Sequence, residues 1–169
     1  MTEEEYLGIV NEKDEVIGWA SYQDVYKKLL IHRIAHILIF DNRNRILLQL
    51  RSKAKSFCPL HWSTSVGGHV HSGETYKEAA LRECREELGR EVKVKFAYKD
   101  LYQDKCYEVG LKKILVTFKA IDNGPFQTSP GEVKAVKFFS LDEVQKMINN
   151  GDKFHPELLF LLRKHFNIQ

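Results

Sequence analysis

Three carboxylates, Glu83, Glu86 and Glu87, stand almost side by side in the stretch GGHVHSGETYKEAALRECREELG, which runs from Gly67 to Gly89. On a helix turning about 100° per residue they are spaced i, i+3 and i+4, so they share one face and repel. The same helix would carry an apolar stripe of Ala80, Cys84 and Leu88, with Leu81 at its edge, which should face a core. Glu87 falls only about 20° around the helix from Ala80. One carboxylate therefore sits at the margin of the buried side while the other two fan away. A solvated acidic face, with Arg82 and Arg85 in weak surface ion pairs, accounts for Glu83 and Glu86. It does not account for Glu87, because an uncompensated carboxylate near a core is costly. A hard divalent cation accounts for all three: oxygen ligands converge on it, and their repulsion becomes affinity. Mg²⁺ takes a few carboxylates together with waters and substrate phosphates, so a phosphate-bearing substrate is expected.

The elements that must hold these carboxylates are legible nearby. Thr75 with Glu78 three residues on forms a capping box, which predicts a helix start, and Gly89 predicts its end. Gly67 and Gly68 permit backbone angles closed to other residues, which would turn a main-chain carbonyl toward the cation. Gly73 gives the chain room to turn into the helix. Glu74 is placed to pair with Arg82 two turns later and lock the loop to the helix. Alternatively, Glu74 is a simple favourable charge near the positive end of the helix.

Around this stretch the pattern is strand-rich. EYLGIV and EVIGWA flank NEKD as a hairpin, and SYQDVYKKLL reads as a short amphipathic helix capped by Ser21. HRIAHILIFD is a buried strand by its apolar density, and the turn NRN leads into RILLQLRS, which is expected to pair with it. EVKVKFAYKDLYQ and LKKILVTFKAI read as paired strands, and VKAVKFFS as a further strand. Ser140 with Glu143 predicts a second capped helix ended by Gly151. HPELLFLLRKHF predicts a last helix with Pro156 near its first position. The result is an α/β (α+β) arrangement, a mixed sheet with helices on both faces.

Composition narrows the function classes. The 169 residues suit one domain, and 43% hydrophobic content suits a sizeable core. A net charge of +3 fits an anionic substrate without requiring nucleic acid. Cys58, Cys84 and Cys106 are widely spaced and odd in number, which argues against a disulfide framework and for a reducing cytoplasm. The acidic start MTEEEYLGIV does not read as a secretory signal. No apolar run approaches the roughly 18 residues a membrane span needs.

Gly68, five residues, Glu74, seven residues, then RECREELG is similar to the box of the Nudix superfamily at every position from Gly68 to Gly89. Arg90 stands where a hydrophobic residue usually follows. The resemblance implies a Nudix fold, a mixed β-sheet sandwiched between α-helices, here with residues 1–30 as an N-terminal β-hairpin extension and 31–165 as the core. It implies hydrolysis of a diphosphate linkage by water. It also implies Mg²⁺ (or Mn²⁺) bound by Glu83, Glu86, Glu87 and the Gly67 carbonyl. Glu83 and Glu87 are candidate bases, and Glu132 is the candidate in a later loop, with an ordinary loop glutamate as the alternative.

The resemblance extends to the isopentenyl-diphosphate isomerase branch. HRIAHILIFDNRNRILLQLRS, the GH of Gly68 and His69, and EVKAVKFFSLDEV followed by HPELLFLL carry it. It implies metal-ligating roles for His32 and His69, and less directly for His36 and His71. Imidazole suits Mn²⁺ or Zn²⁺ better than Mg²⁺. The branch keeps a catalytic cysteine where this chain has Gly67. It also keeps a Glu-x-Glu pair where this chain has Leu111 and Lys113. The isomerase's acid and base are thus missing while the hydrolytic machinery is intact, and the expectation is an isomerase-like relative acting as a hydrolase. The alternatives are an active isomerase and a Nudix-like module that binds without turnover. Arg51, Lys53 and Lys55 are candidate phosphate contacts, and Tyr22, Phe57 and Trp62 candidate stacking surfaces. The expected partner is one small-molecule diphosphate, with no nucleic acid or membrane, and a homodimer is left open.

Overall fold

The computed structural model describes residues 5–105 and 110–169, so Cys106 and residues 1–4 of the acidic start lie outside the described residues. Its first elements are the expected hairpin, β1 (Tyr6–Val10) and β2 (Val16–Ser21). Asn11 closes the turn, its side-chain oxygen accepting from the backbone N–H of Lys13 and Glu15. Ser21 caps α1 (Tyr22–Lys27), its hydroxyl accepting from the Asp24 N–H at 3.3 Å.

Strand β3 (His32–Phe40) is the hub of a mixed sheet that has nine strands among the described residues. The expected hairpin with β4 (Ile46–Arg51) forms at a single register pair, Phe40 with Ile46. β4 then leaves to pair with the short β5 (Trp62–Ser63). β3 instead pairs antiparallel with β6 (Val66–His69). Ile46 and Leu48 enter one core while Leu47 enters the other, so β4 is covered on both faces.

Helix α2 (Tyr76–Leu88) has both hydrogen bonds of the Thr75–Glu78 capping box, and Gly89 ends it in the left-handed region at φ 60°. β7 (Lys95–Asp104) and β8 (Leu111–Ile121) form the expected antiparallel pair, and β8 also runs parallel to the whole of β3. β9 (Val133–Phe139) is the partner β4 left for. Ser140 and Glu143 cap α3 (Leu141–Asn149), and Pro156 opens α4 (Pro156–His165).

Alternation along β3 sends Ile37 and Ile39 toward α2, where Ala80, Cys84 and Leu88 complete one core. Leu38 points the other way, to Val144 of α3 and Leu158 and Leu162 of α4. Helices therefore cover both faces of the sheet, as the sequence pattern requires. Each fully buried Leu or Ile contributes about 1.5–3 kcal/mol, which fixes α2 and α4 firmly on opposite sides of β3. No disulfide forms among the described cysteines, Cys58 and Cys84. No helix of the described residues is long and apolar enough to cross a membrane.

Candidate active site

One cavity of about 520 Å³ takes its wall from α1, β3, β6, β8, α2, α4 and the loops that follow β4 and precede β9. It has two arms that meet at Gly67.

The outer arm is the acidic face of α2. Glu83, Glu86 and Glu87 all line it, with Glu132 reaching in from just before β9. Glu87 is 5% exposed, as its place beside the apolar stripe predicts. Its Oε2 accepts from the Gln49 amide at 3.0 Å and the Gly67 N–H at 3.3 Å. No cation reaches Glu87 among the described residues. Burial, followed by the neighbouring Glu83, pushes its pKa up to about 8. Burial likewise pushes Glu83 up to about 7, against the pull of Arg82.

Arg82 organises the surroundings. It donates to Glu74 from Nε at 2.7 Å and from Nη2 at 3.0 Å, the pairing expected from the sequence. It also donates to the His69 carbonyl at 2.9 Å, to Glu83 at 2.7 Å and to Glu86 at 3.4 Å. One guanidinium thereby clips the glycine strand, the loop and the helix together. With Glu83 and Glu86 turned to Arg82, no group of three His, Cys, Asp or Glu side chains converges on a point among the described residues.

The paired glycines serve a purpose different from the expected one. Neither Gly67 nor Gly68 adopts a positive φ; both lie in β6. What they provide is space. A Cβ at Gly68 would stand 2.1 Å from the Glu83 Oε1, and one at Gly67 would stand 2.6 Å from the His36 Nδ1. Gly73, by contrast, does turn the chain, at φ 85°.

A divalent cation fits this donor set. The oxygens are hard, two carboxylates are held with raised pKa values, and Glu87 has only neutral donors for partners. A cation is what Glu87 lacks among the described residues.

The predicted phosphate contacts divide. Lys55 lines the cavity and forms an ion pair with Glu132. Arg51 also lines it, and its Nη2 and Nε donate to the carbonyls of Phe57, at 2.9 Å, and Cys58, at 3.2 Å. Lys53 is exposed and off the cavity wall. Tyr22 and Phe57 are on the wall, whereas Trp62 packs edge-on against Phe139 at 5.1 Å in the α3–α4 core.

His32 and His69 do come together, their rings stacked with centroids 5.5 Å apart. His32 donates from Nδ1 to the Leu30 carbonyl at 3.0 Å, and its Nε2 is buried without a hydrogen-bond partner among the described residues. Burial pushes its pKa down to about 4 and holds that of His69 well below its ordinary value, so both rings are neutral at pH 7. The His69 Nε2 and the Tyr26 hydroxyl are 2.8 Å apart.

The inner arm escaped the sequence reading. Lys113 on β8 donates to Glu157 on α4 at 2.9 Å and to Asp104 on β7 at 3.4 Å. The other Glu157 oxygen accepts from the His36 Nε2 at 2.9 Å. The His36 Nδ1 lies 3.0 Å from the Thr64 hydroxyl, which itself donates to the Val66 carbonyl. Burial alone would raise the Glu157 pKa, but Lys113 and then His36 hold it well below the carboxylate range. His155, the cap of α4, accepts at Nδ1 from the Glu157 N–H at 3.3 Å. One signal was available: Lys113 falls in step with the buried Leu111 and Leu115, an apolar row in which a lysine needs an anion.

A NUDIX domain family model matches residues 30–162. The chain is similar to the uncharacterized Nudix hydrolase YfcD of Escherichia coli (strain K12), 34% identical over 158 residues, which are 92% of this chain and 83% of that protein. It is also similar to Isopentenyl-diphosphate Delta-isomerase 1 of Photorhabdus laumondii, 30% identical over 175 residues, 96% of this chain and 98% of that one. Among solved structures it resembles DR0079 from Deinococcus radiodurans, with a TM-score of 0.80, 26% identity, and coverage of 95% and 98% of the two chains.

Proposed function

This chain belongs to the Nudix family as a Nudix-type hydrolase, and from that premise we propose a substrate class and a metal. The substrate is a nucleoside diphosphate derivative or a similar organic diphosphate, and the bond cleaved is its diphosphate linkage. The metal is Mg²⁺ or Mn²⁺, held by Glu83, Glu86, Glu87 and the Gly67 carbonyl. The observation that carries the reading is Glu87, a buried carboxylate supported by Gln49 and Gly67 and lacking a cation. When bound, the metal would polarise the phosphoryl oxygens and acidify the attacking water. Gln49 and the Gly67 N–H fix the Glu87 carboxylate, and Arg82 fixes the glycine strand against α2. Glu83, Glu87 and Glu132 are the candidate bases. Glu132 alone of the three is paired with a lysine, and a substrate phosphate can draw Lys55 away from it. The same reading has the protein acting in the cytoplasm on a small molecule.

The test is a panel of nucleoside diphosphate derivatives and prenyl diphosphates with Mg²⁺ or Mn²⁺. Product is expected from the wild type and almost none from Glu87→Gln. Equal, background-level release from both would end the hydrolase reading. The isomerase alternative is disfavoured at two positions. The space a side chain at Gly67 would need is filled by His36, and Lys113 is locked to Glu157 where an acidic residue is required. Isopentenyl diphosphate is accordingly expected to give no dimethylallyl isomer above blank.

A further inference from the structure

One edge of the sheet is left undefended. β2 pairs with β1 alone, so its other edge is open among the described residues. An open edge is a template for another strand, and proteins ordinarily blunt it with charge, proline or a cover. β2 reads Val-Ile-Gly-Trp-Ala-Ser and holds neither charge nor proline. Its Ile17 is 66% exposed and its Trp19 69%, with Val16 exposed beside them.

The backbone directions follow from the neighbours. The Tyr22 N–H goes across the hairpin to the Glu5 carbonyl, whereas the Tyr6 carbonyl accepts from Ser72 on the far side of β1. Directions alternate along a strand, so Ala20 and Gly18 turn their N–H and C=O to β1, and Trp19 turns its own to the open edge. Ile17 is the extra residue of a bulge and has no register partner in β1.

This edge is complementary to a second copy of itself. Two identical antiparallel strands are related by a two-fold axis, and an axis at Gly18 sets Ile17 of each copy opposite Trp19 of the other. Val16 then faces Ala20 and Glu15 faces Ser21, so no carboxylate meets a carboxylate. An axis at Ile17 would instead set Glu15 against the second copy's Trp19, and one at Trp19 would set Ile17 against Ser21. Gly18 itself lies at a position without hydrogen bonds across the axis, where opposite Cα atoms approach to about 4.5 Å. Within its own chain nothing lies within 4 Å of where a Gly18 Cβ would stand, and its φ is not positive. The close approach of another backbone supplies the reason for a glycine there.

We propose that this chain forms a two-fold dimer through β2, continuing the sheet of one copy into the next. The pairing uses the open β2 edge of both copies and so closes at two. An interface centred on one six-residue strand falls among those under about 1,200 Å² in total. The dimer is therefore a weak one, with a dissociation constant on the order of 10 µM.

Sedimentation velocity from about a tenth to about fifty times that constant is expected to pass from the monomer mass to twice it. Trp19→Lys puts a charge on the pairing edge and is expected to weaken association at least about thirtyfold. Gly18→Cys brings two thiols together on the axis, at a Cα separation a disulfide can span. Oxidised glutathione is expected to cross-link more than about half of Gly18→Cys, and less than about a tenth of Val16→Cys or of the wild type. Adding Trp19→Lys to Gly18→Cys is expected to abolish the cross-link. At concentrations below the dissociation constant each variant is expected to keep the wild-type unfolding temperature, which separates a lost interface from a damaged hairpin. If Trp19→Lys failed to fold, the contrast between Gly18→Cys and Val16→Cys would decide alone. A wild type that stays monomeric throughout overturns the proposal. So does a dimer that a folded Trp19→Lys leaves intact, or one that cross-links equally through Val16→Cys.

Discussion

The two arms of one cavity solve opposite electrostatic problems. The outer arm gathers Glu83, Glu86 and Glu87 from consecutive turns of α2 and leaves Glu87 without a cation. The inner arm gathers His36, Lys113 and Glu157 from three distant elements and pairs each charge. The consequences appear in the ionisation: burial drives the Glu87 carboxyl up to about 8, whereas Lys113 holds the Glu157 carboxyl far down. Both glutamates are buried, so burial does not distinguish them; the partner does. The outer arm is unbalanced in the way a metal site must be before its metal arrives. In the inner arm the buried Glu157 already has its cation, Lys113.

The contrast is tested most severely by removing one charge from each arm. Glu87→Gln is expected to lower kcat/KM by about 10³-fold, the scale of losing a group that holds charge in the transition state. Its metal-free unfolding temperature should stay level or rise, most clearly above about pH 8, where Glu87 is a buried unpaired charge. Lys113→Met should do the reverse. It leaves Glu157 buried without its cation and is expected to cost about 3–5 kcal/mol of stability by chemical denaturation. Adding Glu157→Gln to Lys113→Met should recover part of that loss. If Glu87→Gln unfolded the protein, or Lys113→Met left its stability unchanged, the two arms would not be opposites.

Metal should abolish the difference between the arms. Without metal, the folded state keeps protons on Glu83 and Glu87 that the unfolded chain releases above the ordinary value of 4.5. His32, His69 and His155, held below their ordinary values, act the other way below about pH 6.5, so the glutamates are isolated as a difference. The stability of the chelator-treated wild type minus that of Glu83→Gln/Glu87→Gln is expected to fall as pH rises from about 4.5 to about 8. Mg²⁺ or Mn²⁺ at 100 times its dissociation constant should add about 2.7 kcal/mol. It should add most at the alkaline end, where the carboxylates are ionised. A metal-free difference curve that rises through this window would show that Glu83 and Glu87 are not short of positive charge.

What could be read from the sequence follows from distance along the chain. The capping box, the stop at Gly89, the Glu74–Arg82 clip and the burial of Glu87 all lie within one short stretch, where helical periodicity fixes geometry. The use of Gly67 and Gly68 could not be read correctly. The groups that need their missing side chains are His36 and Glu83, and His36 is on another strand. The expected hairpin of β3 with β4 stops after one register pair because β6 and β8 take the two edges of β3 while β9 pairs along β4, long-range pairings that a local turn does not reveal. The charge of Arg51 is visible in sequence, while the loop carbonyls that hold its guanidinium at the cavity wall are not. The His36–Glu157 contact spans 121 positions. It becomes predictable only once β3 and α4 are known to pack.

The smallest effect asks whether the outer arm depends on its helix cap or on its clip. Thr75→Ala and Ser140→Ala each remove one capping-box oxygen, and each is expected to cost about 1 kcal/mol of stability. The two helices differ in what they carry: α2 presents the glutamates and α3 presents nothing to the cavity. If the cap positioned the glutamates, Thr75→Ala would lower activity and Ser140→Ala would not. Glu83 and Glu87 lie two to three turns beyond Thr75 and are pinned there by Arg82, Gln49 and the buried Cys84 and Leu88. Fraying at an N-terminus dies out over about one turn. Both variants are therefore expected to keep kcat/KM within about twofold of wild type while losing similar stability. A selective loss of activity in Thr75→Ala would move control of the carboxylates from the Arg82 clip to the start of the helix.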